Sequence, residues 1–128
     1  MKIAVIGAGN MGGAIARGMA TGTIVKADEI VVTAKTQATL DKLSADIPAI
    51  HTTLSNREAA EGANIIMLCI KPWLVQQVLE EIYPAINRSN PLIVSVAAGI
   101  SFEQLSNFMA GDKRPMVRLI PNTAIAIK

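Results

Sequence analysis

The chain has 128 residues, enough for one domain that buries roughly two-thirds of the surface its unfolded form exposes. With 51% hydrophobic against 17% charged residues, it has the composition of a protein with a substantial core, which excludes an intrinsically disordered segment. A net charge of +2, a lone adjacent cationic pair (Lys113-Arg114) and four scattered aromatics (Trp73, Tyr83, Phe102, Phe108) offer neither a basic stripe nor a stacking platform, so nucleic acid is not an expected partner.

Short β-rich apolar runs alternate with longer amphipathic segments, the pattern of βαβ units in a mainly parallel sheet, so the expected class is α/β. Residues 2–6 make the first strand, 10–20 an Ala- and Met-rich helix, and 29–33 the second strand. Residues 36–46 carry Leu40 and Leu43 at helical spacing, and 49–52, after Pro48, make a short third strand. Ser55 is placed to cap a helix reaching Glu61, with Glu58 at the capping-box position. Residues 65–70 are the fourth strand. They include the sole cysteine, Cys69, which reads as a small buried hydrophobe without reactivity. Lys71-Pro72 stops that strand, and Pro72 suits the first position of a helix running to about Tyr83. The fifth strand is 92–97. Ser101 with Gln104 forms a second capping box, and Phe102, Leu105, Phe108 and Met109 are the expected buried face of the helix it opens. Residues 116–120 are the sixth strand; 124–127 look like a further strand cut short, so a truncated protein is the expectation.

No repeat or linker divides the chain, which reads as one domain, 1–128. The N-terminal apolar run is too short for an export signal, and 65–70 falls far short of the ~20 residues a bilayer crossing needs. With a single cysteine, the expectation is a soluble protein of the reducing cytoplasm, with no membrane partner.

Gly7-Ala8-Gly9-Asn10-Met11-Gly12 matches G-x-G-x-x-G where it carries meaning, directly after a strand and at the opening of a helix. Gly7 can make the tight turn, Gly9 lets a pyrophosphate approach the backbone, and Gly12 permits close helix–strand packing. Free amides and the dipole at that helix start suit an anion. The fold expected is therefore Rossmann-type and doubly wound, with helices on both faces, and the ligand a nicotinamide dinucleotide. NAD-specific domains place an acid at the end of the second strand; here that end reads Thr33-Ala34-Lys35-Thr36. Hydroxyls and a cation there suit a 2′-phosphate, which favours NADP(H) while still admitting NAD(H). The ligand should lie across the carboxyl ends of the strands. The loops to inspect are Cys69-Ile70-Lys71-Pro72, Ala97-Ala98-Gly99 and Pro121-Asn122-Thr123, with Asn56 on the preceding segment. His51, the only histidine, lacks metal partners at ligand spacing and reads as structural. Met11, Met19, Met67, Met109 and Met116 read as core.

Taken together, Ile6-Gly7-Ala8-Gly9-Asn10-Met11-Gly12, Lys71-Pro72, Ser95-Val96-Ala97-Ala98-Gly99-Ile100 and Pro121-Asn122-Thr123 resemble the N-terminal half of pyrroline-5-carboxylate reductase, over the whole chain. The resemblance implies reduction of the C=N bond of 1-pyrroline-5-carboxylate by NAD(P)H to give proline, hence a small-molecule substrate. It places cofactor contacts at Ile6 to Met11, the end of the second strand, Asn56, Cys69 to Pro72, Ala97 to Gly99 and Asn122. No catalytic side chain is implied, since hydride transfer needs chiefly proximity and orientation. It further implies a C-terminal helical domain, not part of these 128 residues, that supplies substrate contacts and homo-oligomerisation. Ala124 departs from the proline that usually follows Pro-Asn-Thr. Two other readings stay open: a related NADP-dependent reductase of coenzyme F420-dependent or hydroxyacid type, and a non-catalytic nucleotide-binding module.

Overall fold

A computed structural model describes residues 1–86, 89–97 and 99–119. Six strands form one sheet: β1 Ile3–Ile6, β2 Ile30–Thr33, β3 His51–Thr53, β4 Ile65–Leu68, β5 Leu92–Ser95 and β6 Met116–Arg118. Every neighbouring pair is parallel, in the order β3-β2-β1-β4-β5-β6. The α-helices among the described residues are α1 Asn10–Ala20, α2 Gln37–Asp46, α3 Asn56–Ala60, α4 Val75–Ile86 and α5 Phe102–Phe108. The α/β doubly wound expectation therefore holds.

The four inner strands β2, β1, β4 and β5 are mostly apolar because both faces are covered, whereas the edge strands β3 (His51–Thr53) and β6 (Met116–Arg118) carry polar, more exposed residues. Alternate residues of β1 show this: Ile3 and Val5 join a core with Ala16 of α1 and Leu43 of α2, while Ala4 and Ile6 join a second core with Ala59 of α3, Leu79 of α4 and Leu105 of α5. Fully burying an aliphatic side chain of this size stabilises by about 1.5–3 kcal/mol. Met67 and Met109 are core as expected, and Met19 and Met116 pack partly buried against it. Met11 is not core: it is 40% exposed within the glycine motif, because as the second residue of α1 it lies on a side of the helix turned away from the sheet. Phe102 is 47% exposed, since α5 turns its Leu105 and Met109 face inward and leaves its first residue outside.

Element ends also differ from expectation. β4, β5 and β6 stop earlier at their carboxyl ends, so residues 69–70, 96–97 and 119 belong to connections, although single bonds such as Cys69 N–H to Ile6 O (2.9 Å) extend the pairing one step; β3 is shifted to 51–53. Ser55 caps α3 as expected, its hydroxyl accepting from Glu58 N–H. The second half of that capping box does not form, because Glu58 accepts instead from the Thr53 hydroxyl (3.3 Å). Ser101 and Gln104 do form the full reciprocal box. After Lys71 the chain makes a 3₁₀ turn, Pro72–Leu74, before α4, which runs on past Tyr83 with Pro84 in its last turn. At the amino end of β6, Arg114 is almost wholly buried; it donates to Asp112 (2.6 Å) and to the Ile86 carbonyl that ends α4. That guanidinium holds the Asp112 carboxyl below the usual carboxylate range. Among the described residues, no helix is long and apolar enough to cross a membrane.

Candidate functional site: the glycine turn at the strand carboxyl ends

The chain runs from β1 outward to β3, then returns to place β4 on β1's other side, so the crevice between the two directions opens at the carboxyl ends of β1 and β4. The glycine motif occupies that point. Gly7 leaves β1 with φ +101°, a conformation open chiefly to glycine, and a Cβ on it would come within 2.5 Å of the Cys69 carbonyl oxygen and 2.7 Å of the Ile70 side chain. On the other side, Gly7 and Ala8 N–H donate to the Thr33 carbonyl at 3.2 and 2.7 Å. The Gly7 amide also lies 3.2 Å from the Thr33 hydroxyl, which accepts from it. The turn is thus wedged between the ends of β2 and β4. Gly12 closes it from above, since any Cβ there would overlap the Gly7 carbonyl oxygen.

Gly9 differs from both. It is the N-cap of α1 with φ −71°, and among the described residues nothing lies within 4 Å of the place its Cβ would take. The helix it opens has no side-chain cap and no acidic residue in its first turn, so the free amides of Asn10 and the residues following face an open position. An anion is the group that this arrangement suits: N–H donors, the positive end of a helix dipole, and room at Gly9, where no Cβ stands.

Around this point the other sequence candidates take separate positions. Ile6 and Ala8 are buried and form the turn's floor. Thr33 is 1% exposed, and its hydroxyl accepts from the Gly7 amide. Ala34 is half-buried and Lys35 exposed, between the end of β2 and the Thr36 cap of α2. Asn56 opens α3 at the same edge, but its amide donates to Glu81 of α4 (3.0 Å). Cys69 is half-buried under Gly12, and burial pushes its thiol up to about 12, in keeping with an inert side chain. Ile70 packs on the core, Lys71 is exposed at the start of the 3₁₀ turn, and Pro72 follows at its first position. Ala97 is 4% exposed, and Gly99 turns the next loop with φ +78°. Ala98 and the Pro121-Asn122-Thr123 segment lie outside the described residues.

One residue at this edge escaped the sequence. Arg118, ending β6, donates to the Ile100 carbonyl (3.3 Å) and lies over the Phe102 ring, 5.7 Å from its centroid. It ties down the loop that carries Ala97 and Gly99, a contact that depends on strand order and leaves no local signal. His51 is exposed on the edge strand β3. Among the described residues, no cluster of three or more His, Cys, Asp or Glu could hold a metal ion. A hollow of about 430 Å³, lined by Met1, Lys2, Glu29 and His51, lies at the opposite, amino end of β1–β3, away from the glycine turn.

A six-stranded parallel sheet in this order, with a glycine turn and an uncapped helix start at its switch point, defines a Rossmann-type domain. The chain belongs to the NADP oxidoreductase, coenzyme F420-dependent, family, whose model matches residues 2–99. It is 38% identical over 122 residues to a pyrroline-5-carboxylate reductase of Vibrio alginolyticus, covering 95% of this chain and 43% of that protein. Among solved structures it is similar to a pyrroline-5-carboxylate reductase from Coxiella burnetii (TM-score 0.88, 30% identity, covering 98% of this chain and 46% of that one). It is also similar to the Plasmodium falciparum pyrroline carboxylate reductase with NADP bound (TM-score 0.80, 27% identity, covering 99% of this chain and 44% of that one). The chain spans less than half the length of the curated relatives it matches.

Proposed function

We propose that this chain is the cofactor-binding part of a pyrroline-5-carboxylate reductase, holding NADP(H) in preference to NAD(H). The observation that carries the reading is Gly9: an open position without a Cβ, at an uncapped helix start, on a turn held by two strands. There the amides after Gly9 would receive the pyrophosphate, and Ile6, Ala8 and Met11 would border it. Lys35 would offset a 2′-phosphate, with Ala34 giving that group room beside the backbone. The loop of Ala97, Ala98 and Gly99, with Cys69 to Pro72 opposite, would receive the nicotinamide against small side chains; Asn56 and Asn122 complete the proposed contacts.

When bound, the dinucleotide supplies the hydride. These residues hold and orient it and contribute no acid or base. In the whole protein, the reaction would be reduction of the imine of 1-pyrroline-5-carboxylate to proline, in the cytoplasm, with a C-terminal helical domain supplying the substrate pocket and the contacts of a homo-oligomer. The likeness to the reductases covers 95% of the chain, whereas the broader family model stops at residue 99, which favours this substrate over coenzyme F420.

Calorimetric titration of the chain with NADPH and NADH at one fixed salt concentration tests the reading. The expected result is binding of both with NADPH preferred, and no proline formation by these 128 residues alone. Equal or tighter binding of NADH removes the role given to Lys35; binding of neither removes the dinucleotide.

A further inference from the structure

The hydrogen bonds at the end of β2 give Thr33 a task that the reading above does not include. The β1–β2 register ends with Ile6 opposite Thr33, and the pairing then continues into the glycine turn itself. The Thr33 carbonyl accepts from Ala8 (2.7 Å) and Gly7 (3.2 Å), and the Thr33 hydroxyl accepts from Gly7 as well (3.2 Å). A threonine restricts its own χ1, so a hydroxyl fixed at 1% exposure is a rigid stop for the amide it meets. With Gly7 and Ala8 N–H engaged by β2, only the amides from Gly9 onward remain to meet an anion, and their direction depends on where Gly7 is held. Lys35 follows two positions later on the same backbone, so one anchor serves both the turn and the exit of β2.

We infer that Thr33 is a positioning residue for the dinucleotide: its hydroxyl sets the glycine turn without touching the ligand. The inference rests on the dinucleotide reading above and deepens it. Replacing the hydroxyl by a methyl of the same shape, Thr33→Val, leaves the carbonyl bonds and the packing and removes one acceptor, whereas Thr33→Ser keeps the acceptor.

The test is titration of wild type, Thr33→Val and Thr33→Ser with NADPH and with NADH, well below the unfolding temperature of each. Thr33→Val should weaken both dinucleotides by the same ratio, about fivefold, the factor carried by one hydrogen bond of ordinary net strength. Thr33→Ser should stay close to wild type, and the Gly7 amide should exchange faster with solvent in Thr33→Val than in either. If Thr33→Val binds both dinucleotides as wild type does, the hydroxyl has only a structural role and the inference fails, while the dinucleotide reading survives. Loss of NADPH affinity alone would mean that the hydroxyl meets the 2′-phosphate directly, which also overturns it. Wild type that binds neither dinucleotide removes the underlying reading and this inference together. Should Thr33→Val not fold, Thr33→Ala against Thr33→Ser isolates the same hydroxyl and is read in the same way.

Discussion

The glycine turn and the exit of β2 lie side by side at one edge of the sheet, yet the fold determines them in opposite ways. At the turn, the protein's own atoms dictate the residue: Gly7 and Gly12 have backbone or side chain where a Cβ would go. At the exit of β2, Lys35 is exposed, and no hydrogen bond or ion pair to it is found among the described residues. Gly9 belongs to the turn by sequence but resembles Lys35 in this respect, because nothing among the described residues requires it to be glycine. Gly7 and Gly12 are demanded by the architecture; Gly9 and Lys35 are not, and under the proposed function it is the dinucleotide that would require them.

Three substitutions press on that division. Gly12→Ala should have the largest effect. Its Cβ meets the rigid Gly7 carbonyl, so the chain should lose about 3 kcal/mol or more of stability, read by chemical denaturation, and with it all dinucleotide binding. Gly9→Ala should separate the two properties. With φ −71° and open space, its stability should hold or rise by about 0.4–1 kcal/mol, while affinity for both dinucleotides should fall about tenfold as the new methyl occupies the anion's place. Destabilisation by Gly9→Ala would place it with Gly12, and unchanged affinity would move the anion elsewhere. Lys35→Ala should be the mildest: an unchanged melting temperature, NADPH affinity lower by roughly threefold to tenfold as suits one partly solvated charge pair, and NADH affinity unaffected. The NADPH effect should shrink as salt is raised.

What could be read from the sequence follows the same line. Local devices were legible: the strand–glycine–helix order, the bounds of α1, the Ser55 cap and the Ser101–Gln104 box all depend on residues within a few positions of each other. Glu58 was misplaced because Thr53, at the end of β3, competes for its carboxylate, and only the folded geometry brings that hydroxyl within reach. Met11 and Phe102 are apolar by type, but each sits where its helix faces away from the sheet. The sequence reading ends the fourth helix near Tyr83, yet Pro84 lies within it. Near a helix terminus the bond that proline forfeits is only one, and its ring sits on the exposed side, so α4 continues. Thr33 shows the limit most clearly. Its residue type marked it as polar at the right strand end, but whether the hydroxyl faces a ligand or the turn depends on contact with a residue 26 positions away.

The strand order also bears on how the chain reaches this state. β1 precedes the other described strands in the chain yet lies between β2 and β4, with Ile3 opposite both Ile30 and Ile65. None of its ladder is local. Half of it waits until β4 has left the ribosome, and the loop closures this requires make such a sheet slow to assemble. The crevice between β1 and β4 therefore forms only once β4 is available, and until then the edge of β1 that β4 will cover has unpaired N–H and C=O groups open to mispairing.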